Sequence, residues 1–180
     1  LLRSAEIYHY MQHAKDYGLV AEKISADIEA IVKRSRGVAK QLNQGVTHLM
    51  KKNKIAVHMG DGAITAPGKV SVTKDGKSED LTAKNIIIAT GARARDLPFA
   101  PADGKRIWTY RHAMVPPEMP TKLLVIGSGA IGIEFASFYN DMGAEVTVVE
   151  MLDRVVPVED ADVSEFLEKA LTKQGITIMT

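Results

Sequence analysis

The sequence has 180 residues, 46% hydrophobic and 25% charged, with 23 Lys and Arg against 22 Asp and Glu and a formal net charge of +1. That composition belongs to a folded chain of one or two domains, argues against disorder, and gives no global attraction to nucleic acid or anionic membranes. Cysteine is absent, which excludes disulfides, iron–sulfur clusters, thiolate zinc sites and dithiol redox chemistry within these residues, and apolar runs such as 123–126 fall far short of the roughly 20 residues that span a bilayer.

Residues 2–17 carry Leu2, Ala5, Tyr8, Gln12 and Lys15 at helical spacing, with Gly18 as a stop. No capping residue precedes this helix. A longer one follows Ser25 or Asp27 as N-cap, with Ile28, Ile31, Val32, Ser35, Val38, Leu42, Val46 and Leu49 recurring until Asn53. At about 40 Å it exceeds what a small core needs, and it is expected to run across a domain or subunit boundary. Gly37 and Gly45 within it predict close packing or a slight bend.

From Lys54 the period shortens to two. Strands are expected at Ile55–Met59, Ala63–Thr65, Lys69–Thr73, Ser78–Thr82 and Asn85–Ala89, with turns at Gly60–Gly62, Pro67-Gly68 and Asp75-Gly76. A loop from Arg93 to Pro101 and the prolines 116, 117 and 120 then suggest a linker.

Beyond the linker, strand Lys122–Ile126, helix Ala130–Met142, strand Glu145–Val149, helix Val163–Gln174 and strand Ile176–Met179 make a β-α-β-α-β mononucleotide unit. Asp162, with Glu165 three residues on, is the expected cap of the second helix, whose apolar face would be Val163, Phe166, Leu167, Ala170 and Leu171.

Gly127-Ser128-Gly129-Ala130-Ile131-Gly132 fits G-x-G-x-x-G directly between a strand and a helix. Gly127 would make the tight turn, Gly129 would admit a pyrophosphate to the backbone, and Gly132 would let helix and strand lie close. The phosphate charge would meet the positive end of the helix. Glu150 lies 18 residues beyond Gly132, at the end of the next strand. A carboxylate there accepts from ribose hydroxyls and repels a 2′-phosphate, which favours NAD over NADP. Arg154 is a poor phosphate clamp at its distance, and FAD in place of NAD at this turn stays open, because the fingerprint is shared.

Ile86-Ile87-Ile88-Ala89-Thr90-Gly91, the proline-rich linker, then Val125 to Phe135 and Val148-Val149-Glu150 resemble, in this order, the pyridine nucleotide–disulfide oxidoreductases. The opening Leu1 to Glu6, Leu97-Pro98, Ile107-Trp108 and Met142 to Glu150 resemble most the members that oxidise dihydrolipoyl groups. The resemblance runs the whole length of the chain. It implies an α/β fold of the two-dinucleotide-binding flavoprotein type, in part: residues 1–115 from an FAD-binding domain, 116–121 as linker, and 122–180 as the first half of an NAD-binding domain. It implies FAD and NAD as cofactors, oxidation of dihydrolipoyl groups on 2-oxo acid dehydrogenase complexes, a homodimeric parent enzyme, and a cytoplasmic or mitochondrial-matrix location with the cytoplasm favoured. The family's redox-active cysteine pair and His/Glu acid–base pair have no counterpart here. An internal segment without turnover of its own is therefore expected, with no catalytic residue among the 180.

By position, the resemblance puts Gly127, Ser128, Gly129, Ala130, Ile131 and Gly132 on the NAD pyrophosphate and Glu150 on its ribose. Gly62, Ala63, Thr90 and Gly91 would serve FAD, and Glu134 would support the flavin–nicotinamide contact, where the family's partner lysine is missing. Gly62 reads equally as a plain turn, and Glu134 as a first-turn acid favoured by the helix dipole.

Other signals are weaker. His9 and His13 share a helix face without a third ligand, so no metal is expected. The basic runs 33–36 and 51–54 lack interleaved aromatics and predict no nucleic-acid partner. The competing reading is a stand-alone NAD sensor or helix-mediated interaction protein, and within the family a glutathione or mercuric reductase-like enzyme.

Overall fold

Helix α1, Leu2–Gln12, tightens after His13 into a 3₁₀ turn, Ala14–Tyr17, and Gly18 ends it at φ +71°. The expected helix is thus two pieces, and of its predicted apolar face only Ala5 is buried. In α2, Ile28–Lys52, the carboxylate of Asp27 accepts from the Ala30 N–H at 3.0 Å. Asp27, not Ser25, is the cap. A Cβ on Gly37 or Gly45 would meet open space, so close packing does not explain these glycines and nothing else in the structure does.

This is a computed structural model that describes every residue, Leu1–Thr180, as two compact units. One comprises Leu1–Gly37 and Ala94–Thr180, the other Val38–Arg93, so the division falls inside α2.

The smaller unit holds an antiparallel meander of β1 (Asp61–Ala66), β2 (Lys69–Lys74) and β3 (Lys77–Thr82). Gly62 pairs with Val72 and Ala63 with Ser71, and the register slips between Ile64 and Ala66. The β2–β3 hairpin turns on Asp75 and Gly76, at φ +50° and +76°, as a tight two-residue hairpin requires. Two expected strands, Ile55–Met59 and Asn85–Ala89, do not form. A strand exists only where a neighbouring backbone takes its N–H and C=O groups, and both outer strands here pair with β2 alone. Val57, Met59, Ile87 and Ile88 consequently stay exposed. So do Val38, Leu42, Val46 and Leu49 on α2.

In the larger unit, a short α3, Tyr110–Ala113, interrupts the irregular stretch after Ala94 and was not legible from periodicity. Its capping box uses Thr109 and His112 in place of the usual acid. The parallel sheet follows, in the order β4 (Lys122–Ile126), β5 (Glu145–Val149), β6 (Thr177–Met179), joined by α4 (Ala130–Asp141) and α5 (Ala161–Lys173). The ladder sets Leu123 beside Val146 and Val125 beside Val148. That face packs with Ile133, Ala136, Phe138 and Tyr139 of α4, Leu171 of α5 and Ala5 of α1 into one core. On the opposite face Leu124, Ile126 and Met179 are 59%, 50% and 57% exposed.

Helix α5 starts two residues earlier than expected, with Asp160 rather than Asp162 as N-cap. Glu165 pairs with Lys169 one turn on instead of closing a capping box. Of the expected apolar face Leu171 is buried, while Val163 and Phe166 are 49% and 75% exposed and Ser164 is buried in their stead. No helix is long and apolar enough to cross a membrane.

Candidate functional site

The carboxyl ends of β4 and β5 lie side by side, with Ile126 paired to Val149 and the Gly127 N–H donating to the Val149 carbonyl at 2.8 Å. In open α/β sheets this end is where ligands bind. Gly127 takes φ +94°, which a side chain would strain. At Gly132 a Cβ would collide with the Gly127 carbonyl oxygen and stand 3.3 Å from Val125 Cγ1. This glycine lets α4 lie against β4, as the fingerprint requires.

Gly129 is the N-cap of α4, and a Cβ there would meet nothing within 4 Å. The N–H groups of Ala130, Ile131 and Gly132 open the helix without a protein acceptor, and no acidic residue stands in its first turn. The turn therefore presents unpaired donors, a positive helix end and open space, which together fit a pyrophosphate.

Glu150 follows β5 and is half-buried. Its Oε2 accepts from the Ser128 N–H at 2.8 Å and from the Ser128 hydroxyl at 2.7 Å, and its Oε1 accepts from the Leu152 N–H at 3.0 Å. The backbone and then the hydroxyl of Ser128, with Leu152 adding to them, hold this carboxyl at a pKa of about 2. Glu150 is ionised at any physiological pH.

Ser128, placed by the motif on the pyrophosphate, is fully buried, and its N–H and hydroxyl are both committed to Glu150. Its hydroxyl oxygen and its carbonyl each accept from the Val156 N–H at 3.2 Å. Val156, buried and β-branched, adopts φ +40° to make these bonds. Such a conformation costs on the order of 1–3 kcal/mol and persists where the surroundings over-determine it. Leu152 and Val156 were missed in the sequence, since apolar residues that act through their backbone carry no signal there.

The remaining candidates are dispersed. Glu134 sits exposed on α4 and makes no ion pair. Arg154 donates through Nη2 to the Pro157 carbonyl at 3.2 Å, not to Glu150, and its buried Nε has no partner. Gly62 lies within β1 rather than in a turn, with open space at its Cβ position, and Ala63 follows it. Thr90 and Gly91 lie after β3 in the same unit, Gly91 at φ +75°. The rings of His9 and His13 stack with centroids 4.1 Å apart, and His13 Nδ1–H donates to the His9 carbonyl.

Comparison with known proteins gives one consistent result. A dihydrolipoyl dehydrogenase of Zymomonas mobilis is 56% identical over all of this chain, which covers 39% of that protein. A dihydrolipoyl dehydrogenase of Pisum sativum, described as mitochondrial, is 35% identical over 98% of this chain and 36% of its own length. The crystal structure of LpdA from Mycobacterium tuberculosis superimposes with a TM-score of 0.83 at 32% identity, over 98% of this chain and 39% of that one. The chain thus spans about two fifths of the relatives it matches, and its fold is part of the two-dinucleotide-binding flavoprotein fold. The family described as pyridine nucleotide-disulphide oxidoreductase, whose dihydrolipoyl dehydrogenases use FAD and NAD, matches residues 3–180, and the chain belongs to it.

Proposed function

We propose that these residues are the nucleotide-binding part of an FAD-dependent enzyme that oxidises dihydrolipoyl groups and passes the electrons to NAD, as a dihydrolipoyl dehydrogenase does. The observation that carries this reading is Glu150, an ionised carboxylate fixed beside a turn of unpaired N–H donors. The Gly127–Gly132 turn, through the free N–H groups of Ala130, Ile131 and Gly132, would hold the pyrophosphate of NAD and Glu150 the ribose, with 122–180 as the NAD-binding portion, 116–121 as linker and 1–115 contributing to the FAD domain. Gly62, Ala63, Thr90 and Gly91 offer backbone for FAD. NAD supplies the acceptor for a hydride when bound, and the residues here bind and select it.

Lipoyl groups of 2-oxo acid dehydrogenase complexes are the proposed substrate partners, a second identical subunit the proposed assembly partner, and the cytoplasm or mitochondrial matrix the proposed location. With no cysteine in the sequence, the dithiol that this oxidation requires is not among the 180 residues. The segment on its own should show no lipoamide-dependent NADH turnover.

Glu150→Arg tests the ribose assignment. A fixed negative charge disfavours a 2′-phosphate and a positive one attracts it, so the variant, made in the enzyme as its cell makes it, should shift use from NADH toward NADPH. An unchanged ratio would remove Glu150 from the site.

A further inference from the structure

We propose that Ser128 is a positioning residue for nucleotide selectivity: its hydroxyl and N–H together fix Oε2 of Glu150, leaving one acceptor position, on Oε1, for the ribose of NAD. This rests on the NAD reading above and deepens it.

A carboxylate offers about four lone-pair sites. Two on Oε2 are taken by Ser128 and one on Oε1 by the Leu152 N–H. The one that remains has a defined direction only while the other three bonds hold the group still. Any backbone N–H at position 128 would give one of the Oε2 bonds. The second, at 2.7 Å, needs a hydroxyl.

That hydroxyl is itself oriented. Its proton goes to Glu150, and its oxygen accepts from the Val156 N–H at 3.2 Å. Val156 takes up a left-handed backbone conformation there, and the full burial of Ser128 keeps water from replacing either partner. The serine therefore locks the first strand–helix turn, the end of β5 and the loop after it to one carboxylate. A selectivity site needs its charge held in one place, because a mobile carboxylate turns aside from a 2′-phosphate and repels it less.

The test uses Ser128→Ala, with Ser128→Gly as a second variant that also keeps the N–H bond should alanine not fold. Each is made in the enzyme as its cell makes it, and dissociation constants for NADH and NADPH are measured by calorimetry. Loss of one charge-assisted hydrogen bond should weaken NADH binding by about tenfold. NADPH binding should stay within about twofold or tighten, so that selectivity falls. In a Glu150→Ala background the same serine change should leave the NADH-to-NADPH ratio where Glu150→Ala alone puts it, since coupled residues are not additive.

Equal weakening of both nucleotides, no change in either, or an additive effect in the Glu150→Ala background would each overturn the proposal while the NAD site stands. Failure of the unmodified enzyme to bind either nucleotide would instead overturn the site reading and this one with it.

Discussion

The hydroxyl of Tyr139 on α4 donates to the carbonyl of Ala113 at the end of α3, at 2.8 Å, and ties the segment before the sheet to the core. Tyr139 is fully buried, and burial pushes its phenol from 10.0 up to about 12. Tyr139→Phe leaves the Ala113 carbonyl without its donor, at a cost of about 1–2 kcal/mol, or roughly 2–8 °C in Tm for a chain of this size. Below pH 10 the phenol is protonated folded and unfolded. Above it the unfolded chain ionises first, so the native protein loses stability as pH rises from 10.0 through about 12. Melting curves between pH 8 and 12 should fall more steeply for the parent than for the phenylalanine variant.

Glu150 acts at the other end of the scale. Its pKa is lowered from 4.5 to about 2, so its contribution is complete above pH 4.5 and disappears as pH falls toward 2. Partial exposure limits that contribution to about 1 kcal/mol. Glu150→Gln should therefore melt lower than the parent near pH 7, with the two curves converging by about pH 2. Parallel curves over that range would show that the carboxylate charge adds nothing to folding.

Two glycines of one motif should separate stability from binding. Gly132→Ala forces a Cβ into the Gly127 carbonyl and toward Val125, and such overpacking costs about 1–3 kcal/mol or more. Gly129→Ala meets nothing and keeps a φ of −63° that alanine accepts. Its melting temperature should stay within a few degrees of the parent's, while NADH affinity falls because the methyl group stands where the pyrophosphate approaches. Thermal melting and nucleotide titration of both variants check this contrast.

The start of α2 gives a local prediction. Asp27→Ala removes the bond to the Ala30 N–H and should cost about 1 kcal/mol. Ser25→Ala should be neutral. Chemical denaturation monitored by far-UV dichroism distinguishes the two.

The parallel unit was legible where burial and local chemistry agree. Val146 and Val148 alternate inward on β5, glycines punctuate the first turn, and Glu150 closes the next strand. Legibility failed where a partner decides the outcome. Ile86-Ile87-Ile88 has every local preference of a strand and pairs with no other strand in this structure. Asp160 and Asp162 are both cap-type residues, and the start of α5 is set at the first by backbone and burial: the Ser164 N–H donates to the Asp160 carbonyl at 3.0 Å and its buried hydroxyl to the Val156 carbonyl at 3.4 Å, while the Asp160 side chain makes no capping bond. The glycines and the acid of the candidate site were visible because they are rare at that spacing. The inward use of the Ser128 hydroxyl was not, since a serine in a glycine-rich turn reads the same whether it faces a ligand or a carboxylate.

One face of the parallel sheet is bare, with Leu124, Ile126 and Met179 open to water. Parallel sheets are ordinarily covered on both sides. Whatever apolar surface comes to lie on these three residues adds its own association free energy to folding. Where that surface belongs to another molecule, the melting temperature of this unit rises with that molecule's concentration.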